Sequence, residues 1–184
     1  MDFKHHAESN VIISELMLPS HSNFGGKIHG GYILSLMDQI AFACASKHSG
    51  NYCVTASVDT VDFLNPIEIG ELVTMKASVN YVGTSSMVIG IRVDSENILT
   101  KQTKHCNSSF FTMVAKDKDG KNAKVPGLIL ETEDDIRRFI KCSHQKEHLR
   151  KINKDFKEKD FWDSKSLEEL KNYNVMVTCN MDKH

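Results

Sequence analysis

The strongest constraint on the fold is a low-charge segment in the first third of the chain. Its apolar residues recur every three or four positions, which predicts a helix from Gly31 to His48. Small residues fill its second half, which indicates close packing on more than one side, and Ser49-Gly50 supplies a stop signal. The periodic positions are Leu34, Met37, Asp38, Ala41, Ala45 and His48.

Segments typical of β-strands surround this helix. One short strand is predicted before it, over Val11–Leu18, and four consecutive strands after it, over residues 52–64, 72–82, 87–93 and 103–115. The short turns between the later strands favour antiparallel neighbours. This order predicts an α+β fold, in which one curved antiparallel sheet covers a single long helix.

Composition limits the function classes. The net charge of −1 gives no global attraction to nucleic acid or to an acidic membrane surface. The five cysteines include no C-x-x-C pair, which argues against a disulfide framework and against a cysteine-rich zinc site. Because the chain has neither a leader-like apolar stretch at Met1–Asn10 nor an 18-residue apolar run, the sequence predicts a cytoplasmic protein without a membrane partner.

The composition changes after Gly127. Residues 128–184 contain 12 Lys and Arg and 12 Asp and Glu among 57 residues, and a surface helix is predicted over 131–152. We therefore predict two parts, a folded domain at 1–127 and a charged, mainly helical extension at 128–184. The extension is expected to pack on the domain or on a partner subunit, and a loosely ordered final stretch is the alternative.

Asp38 is the unusual residue of the predicted helix. A carboxylate on an apolar stripe is costly to bury unless it is paired or functional, and a purely structural role as an acceptor for a neighbouring strand stays open. Gly30 and Gly31 lie at the helix start, where free N–H groups and the helix dipole can stabilise a polarised carbonyl oxygen. Asp38 lies two turns further, about 10 Å along a straight helix. This separation indicates that one site would draw on two subunits.

Several motifs together resemble the hotdog-fold acyl-CoA hydrolases, which include bacterial broad-range acyl-CoA thioesterases and mammalian cytosolic acyl-CoA hydrolases. The principal motif is residues 19–38, PSHSNFGGKIHGGYILSLMD. The resemblance continues at VTASVD (54–59), Phe63, GTSSM (83–87) and FFTMV (110–114). It covers residues 10–127 and does not extend to 128–184.

The resemblance implies a hotdog fold, whose sheets join edge to edge in a homodimer and whose dimers assemble into trimers of dimers. It implies an active site at the dimer interface, with Asn23 of one subunit facing Asp38 of the other. Asp38 would be the general base or the nucleophile in thioester hydrolysis, Asn23 would orient the water or the carbonyl, and Gly30 and Gly31 N–H groups would bind the oxyanion. Neither a metal nor a cofactor is expected, since CoA is part of the substrate.

The CoA moiety is assigned to the turn after the third predicted strand. Its predicted contacts are Gly83, Thr84, Ser85 and Ser86. Further candidates for the CoA phosphates are Lys101, Lys104, Lys121 and Lys124.

Two other functions stay open. The first is a non-catalytic regulatory module that binds acyl-CoA on the same fold, and the second is a hotdog dehydratase that uses His29 as its base. Thr55, Ser57 and Asp59 alternate along one predicted strand and should share a face, either as satisfied sheet residues or as part of the site. Cys44 is interpreted as a small core residue. The acyl chain length is not readable from the sequence.

Overall fold

A five-stranded antiparallel sheet curves around one long helix in the computed structural model, which describes residues 2–158 and 168–176. This arrangement confirms the predicted α+β fold. In chain order the elements are β1 (Phe3–His5), β2 (Val11–Leu16), α1 (Gly30–Ser49), β3 (Tyr52–Val58), β4 (Leu72–Val82), β5 (Ser86–Glu96), β6 (Thr103–Lys116), β7 (Gly127–Ile129) and α2 (Glu133–Glu158).

The sheet has the order β2-β4-β5-β6-β3, and every neighbouring pair is antiparallel. Strands β2 and β3 are therefore its two edges. Alternate residues of the central strands point towards α1, as the alternation in the sequence predicts. These inward residues form the core with α1; fully buried examples are Val73, Met75, Val79, Ile89, Val93, Phe111 and Met113.

Helix α1 extends one residue beyond the predicted helix at each end. His29 caps its start, and Gly50 ends it with a φ of 69°, a left-handed conformation that a residue with a side chain rarely adopts. Its buried face is formed by residues with exposed fractions of 1% or less: Ile33, Met37, Ile40, Ala41, Cys44 and Ala45. The small side chains on this face allow the sheet to approach closely.

Two local features differ from the predicted strands. Strand β3 ends at Val58 rather than at residue 64, because a β-bulge after Thr55 turns the chain away from regular pairing. The following segment still contacts β6, since the Leu64 N–H donates to the Cys106 carbonyl at 2.9 Å. In addition, β1 pairs with β7 in parallel, a two-stranded sheet that three-residue strands do not announce in the sequence.

Helix α2 begins at a reciprocal cap. The Asp135 N–H donates to Thr132 Oγ1 and the Thr132 N–H donates to Asp135 Oδ2, both at 3.1 Å. The predicted surface helix is therefore present, with bounds Glu133–Glu158. The chain forms two compact units, residues 1–143 and 144–184. The predicted division after residue 127 stays a prediction, and much of the proposed extension lies outside the described residues.

The last turn of α1 is completed by residues distant in sequence. His48 is fully buried; its Nδ1 lies 2.7 Å from Ser9 Oγ and its Nε2 lies 3.1 Å from the Pro126 carbonyl. The Lys4 ammonium donates to the His48 carbonyl at 2.7 Å, so a cation neutralises the negative end of the helix dipole. Burial lowers the pKa of His48, and the hydrogen bond to Pro126 opposes that effect only in part.

The lowered pKa of His48 predicts a loss of stability in mild acid. As the pH falls below the ordinary value of 6.5, the unfolded chain binds a proton at this residue before the folded chain does. The free energy of unfolding should then decrease by at most about 1.4 kcal/mol per pH unit. In His48→Gln, a neutral amide can replace both hydrogen bonds, so urea unfolding should show a smaller loss between pH 6.5 and pH 5. The exposed His148→Gln should behave like the wild type.

Candidate active site

Asp38 lies on the exposed side of α1, at the edge that faces β3. The Thr55 hydroxyl of β3 donates a hydrogen bond of 2.5 Å to Asp38 Oδ1. The expectation that Asp38 sits on a buried apolar stripe was wrong. Apolar and small residues cover most of this helix, so spacing alone could not show which side faces the core; the buried side is centred on Met37 and Ala41.

Thr55 is the partner that sequence reasoning located but did not assign. The prediction that Thr55, Ser57 and Asp59 share a face was wrong, because the bulge shifts the register between Thr55 and Ser57. Thr55 is paired with Met113, which points inward, whereas Ser57 is paired with Thr112. The bulge therefore directs the Thr55 hydroxyl to α1 and removes Ser57 from that face.

A surface cavity of about 580 Å³ lies beside Asp38. Phe42 and Tyr52 line it with ring centroids 5.6 Å apart, and 39% and 64% of these residues are exposed. The adjacent β3 is an edge strand whose residues are mostly exposed. Exposed aromatic side chains beside an open strand edge are typical of a surface that another chain covers.

Asn23 lies in a tight loop before α1. The Asn23 N–H donates to the Lys27 carbonyl at 2.7 Å, and Ser22 bridges to Ile28. Asn23 Oδ1 accepts from the N–H groups of Gly25 at 2.8 Å and Lys27 at 3.2 Å. Because the side-chain oxygen is occupied inside the loop, the amide nitrogen is the atom that Asn23 can offer to a ligand as a donor.

Tyr32 fixes this loop to the helix. Its ring stacks on His21 at a centroid distance of 3.9 Å, and its hydroxyl donates to the Glu15 carboxylate of β2. That hydrogen bond, with burial as a smaller cause, raises the pKa of the Tyr32 hydroxyl. The loop that carries Asn23 is thus held by both α1 and an edge strand.

The two glycines at the start of α1 are not equivalent. The Gly31 N–H donates to His29 Nδ1 at 2.9 Å, whereas the Gly30 N–H has no acceptor within the described residues. Gly30 is also where the Phe63 ring approaches the backbone, since an added Cβ would lie 3.2 Å from that ring. Gly30 is therefore the open oxyanion donor, and His29 serves as the helix cap.

Asn23 and Asp38 are not brought together within one chain. Asn23 and Gly30 are absent from the residues that line the cavity beside Asp38, and they lie at the opposite end of the first two turns of α1. The described part of the chain thus contains two half-sites, one with Asp38 and Thr55 and one with Asn23 and Gly30.

The turn assigned to CoA is held by the segment after β6. The Gly83 N–H donates to the Ser86 carbonyl at 2.7 Å, and the Thr84 carbonyl accepts from the Val125 N–H at 3.1 Å. This bond brings Lys124 next to the turn, while Lys104 is engaged elsewhere, with Glu71 Oε1 at 2.9 Å. Burial alone would raise the pKa of Glu71, but hydrogen bonds from Glu68 N–H, Ser95 and Lys104 outweigh it and hold the pKa below its usual value.

Cys44 is confirmed as a core residue. It is fully buried, and burial raises the pKa of its thiol to about 12, so a thiolate nucleophile does not form near neutral pH. No group of three or more His, Cys, Asp or Glu residues suited to a metal ion occurs in the described part of the chain. Neither described long helix is apolar enough to cross a membrane.

Residues 25–101 match the thioesterase superfamily. Protein VdlD of Helicobacter pylori is 41% identical over 139 residues, which cover 76% of this chain and 79% of that protein. The uncharacterized acyl-CoA thioester hydrolase YkhA of Bacillus subtilis is 38% identical over 129 residues, 70% of this chain and 75% of its own length.

Solved structures of acyl-CoA hydrolases share the fold. An apo-hexameric acyl-CoA thioesterase superposes with a TM-score of 0.81 at 35% identity and covers 83% of this chain and 98% of its own. The Staphylococcus aureus acyl-CoA hydrolase in complex with butyryl-CoA and CoA gives 0.77 at 29% identity, with 92% and 99% covered. Three further structures of that hydrolase carry alanine in place of an asparagine, an aspartate and a threonine. In that chain the aspartate follows the asparagine by 15 positions and precedes the threonine by 17.

The fold, the extent of the matches and the coverage of both chains agree. They confirm the hotdog fold and the enzyme class predicted from the sequence, a thioester hydrolase. The chain belongs to the hotdog-fold acyl-CoA hydrolase family of the thioesterase superfamily.

Proposed function

We propose that this chain hydrolyses acyl-CoA to a free carboxylic acid and CoA, with Asp38 and Asn23 in the active site. The observation that carries the proposal is a shared spacing. Asn23, Asp38 and Thr55 are separated by 15 and 17 positions, the spacing of the three residues replaced by alanine in the S. aureus hydrolase. In this chain Thr55 also donates directly to Asp38.

The carboxylate of Asp38 supplies the proton acceptor. As general base it takes a proton from a water molecule whose oxygen attacks the thioester carbonyl carbon. The tetrahedral intermediate then releases CoA thiolate, which is protonated to the thiol, and the acyl group leaves as the carboxylic acid. As nucleophile, Asp38 would instead form a mixed anhydride that water hydrolyses. The hydrogen bond from Thr55 leaves Asp38 Oδ2 free for either role.

The charge that develops on the carbonyl oxygen requires donors. The open Gly30 N–H, at the positive end of the α1 dipole, is the first of them. Gly31 N–H remains a second candidate if the His29 side chain releases it. Asn23 contributes its Nδ2 rather than its oxygen, so it donates to the carbonyl oxygen or to the oxygen of the attacking water.

A second copy of the chain completes the site. The two half-sites of one chain are separate, and the exposed edge β3 with Phe42 and Tyr52 offers the surface on which a homodimer can join its sheets. Asp38 of one subunit then meets Asn23 and Gly30 of the other. A trimer of such dimers is the proposed assembly, and it agrees with the hexameric state named for a structural relative.

The CoA end of the substrate is assigned to the turn at Gly83–Ser86. Its fixed backbone and the exposed Thr84 side chain offer donors to phosphate oxygens, and Lys124 is the nearest of the lysine candidates along the chain pairing. The proposed location is the cytoplasm, since the free thiols of Cys44, Cys53, Cys106 and Cys142 suit a reducing compartment.

The test is release of free thiol from acyl-CoA by the purified full-length chain, followed with a thiol reagent across acyl chains of increasing length. Turnover supports the proposal. Tight binding of acyl-CoA without thiol release would instead favour the regulatory module, and hydration of an enoyl-CoA that depends on His29 would favour the dehydratase.

Thr55 gives a prediction with an internal control. Thr55→Val should lower kcat by about 10- to 100-fold, because the Asp38 carboxylate loses the hydroxyl that orients it. Thr55→Ser should retain most of the activity, since it keeps a hydroxyl at the same position. Equal activity of the two variants in thiol-release kinetics would show that the hydrogen bond has no catalytic role.

A further inference from the structure

A second concave surface lies on the face of the sheet that points away from α1. It is a groove of about 630 Å³, with a floor from β2, β4, β5 and β6 and a wall from the first turns of α2. Two contacts hold that wall in place. The Phe139 ring lies 5.0 Å from the Tyr81 ring, and Lys141 Nζ lies 5.8 Å from the centre of the Phe110 ring.

The floor of the groove is polar and open. Gly90 leaves room at its centre, where a Cβ would lie only 2.2 Å from Asn80 Nδ2. Ser78, opposite Gly90 in the register, donates to Asn80 Oδ1 at 2.9 Å. With its oxygen occupied, the almost fully buried Asn80 has its Nδ2 over the floor, and this amide donates to no other group in the described residues. A ligand in the groove would therefore meet a fixed donor.

The lining is strongly basic, although the whole chain has a net charge of −1. Five cationic residues and no carboxylate are among the described residues that line it: Lys76, Arg92, Arg137, Arg138 and Lys141. Asp94 pairs with Arg92, and Asp134 pairs with both Arg137 and Arg138. Two carboxylates thus face five cations, which leaves an excess of about three positive charges around one groove.

From these features we propose that the groove is a second ligand site, which binds a small anion carrying two linked phosphate groups. The excess positive charge matches a pyrophosphate group, whose charge near neutral pH is about −3. Arginine guanidinium groups suit phosphate oxygens because they donate in pairs, and Asn80 Nδ2 adds a neutral donor. The volume falls in the range of small-molecule sites, about 300–1,000 Å³, rather than that of an extended track for a polymer.

The groove is separate from the proposed thioester site. Asp38 and Thr55 lie on the side of the sheet that packs against α1, whereas Arg92 and Gly90 lie on the other side of the same sheet. Occupation of the groove therefore goes beyond thioester hydrolysis, and it can be measured without any turnover.

The experiment titrates inorganic pyrophosphate into the full-length protein by calorimetry at low ionic strength. Lys76→Gln/Lys141→Gln removes the two cations of the groove that have no carboxylate partner among the described residues, and should weaken binding by tenfold or more. Lys118→Gln, at an exposed turn outside the groove, should bind as the wild type does. Unchanged melting temperatures show that the variants are folded.

Equal affinity of the double variant and the wild type would overturn the proposal, as would equally tight binding of sulfate, which would indicate only a diffuse ionic attraction. CoA provides the other decisive arm. If CoA displaces pyrophosphate, and the double variant raises the KM for acyl-CoA by the factor by which it weakens pyrophosphate binding, the groove belongs to the substrate and is not a second site. Tight pyrophosphate binding that CoA does not displace supports the proposal.

Discussion

Asp38→Asn should lower kcat for thioester hydrolysis by about 10³-fold, within the range expected for loss of a general base. Asparagine has nearly the same shape and keeps an oxygen that can accept the Thr55 hydroxyl, so the fold and the local geometry should be preserved. What it lacks is the negative charge that can accept a proton or attack a carbonyl carbon. Because Asp38 is exposed in the single chain, no large change in stability should accompany the loss.

The measurement is steady-state thiol release, with acyl-CoA affinity determined separately by calorimetry. Asp119→Asn is the matched control, since Asp119 is an exposed aspartate in the turn after β6 and its side chain is remote from α1. The variant should bind acyl-CoA within a few-fold of the wild type. Wild-type kcat in Asp38→Asn would remove Asp38 from the mechanism altogether.

A mixture of two inactive variants should recover activity if the site is shared between subunits. Asn23→Ala removes one half-site and Asp38→Asn removes the other. In a heterodimer of the two, one interface site combines both lesions, and the other combines an intact Asp38 with an intact Asn23. For random pairing of equal amounts, half of the dimers are mixed and each has one good site, which gives about one quarter of wild-type turnover.

Co-expression of the two variants in equal amounts, followed by thiol-release kinetics, tests this expectation directly. A site built within one subunit predicts the opposite result, because each site in every dimer would then contain one lesion. Activity that remains at the level of the separate variants would contradict the arrangement across subunits, even if both residues are essential.

The sequence was sufficient for the architecture but not for the surroundings of the catalytic candidate. The helix at Gly30–Ser49 and the long strands follow directly from periodicity, which depends on burial of one side of each element. Asp38 shows the limit. Alanine and cysteine residues make most of α1 apolar, so the direction of the buried face depended on the sheet, which is non-local information.

Two further features depended on local geometry that spacing does not encode. The bulge after Thr55 places this hydroxyl against Asp38, and a uniform alternation cannot anticipate a one-residue insertion in the pairing. Likewise, two adjacent glycines look equivalent as donors, but the His29 cap engages only the Gly31 N–H. The motif identified the right neighbourhood, and the hydrogen bonds decided which atom is available.

The completion of α1 by Ser9, Lys4 and Pro126 has a consequence for synthesis of the chain. The contact between His48 and Pro126 spans 78 residues, and β7, which pairs with β1, follows Pro126 directly. A nascent chain on the ribosome therefore has α1 and the first strands available long before the partners that finish the last helical turn. Contacts of such long sequence separation are slow to form, so most of the domain must leave the exit tunnel before α1 is fully anchored. A premature stop before residue 126 would release a sheet wrapped around an unfinished helix, a natural substrate for chaperones.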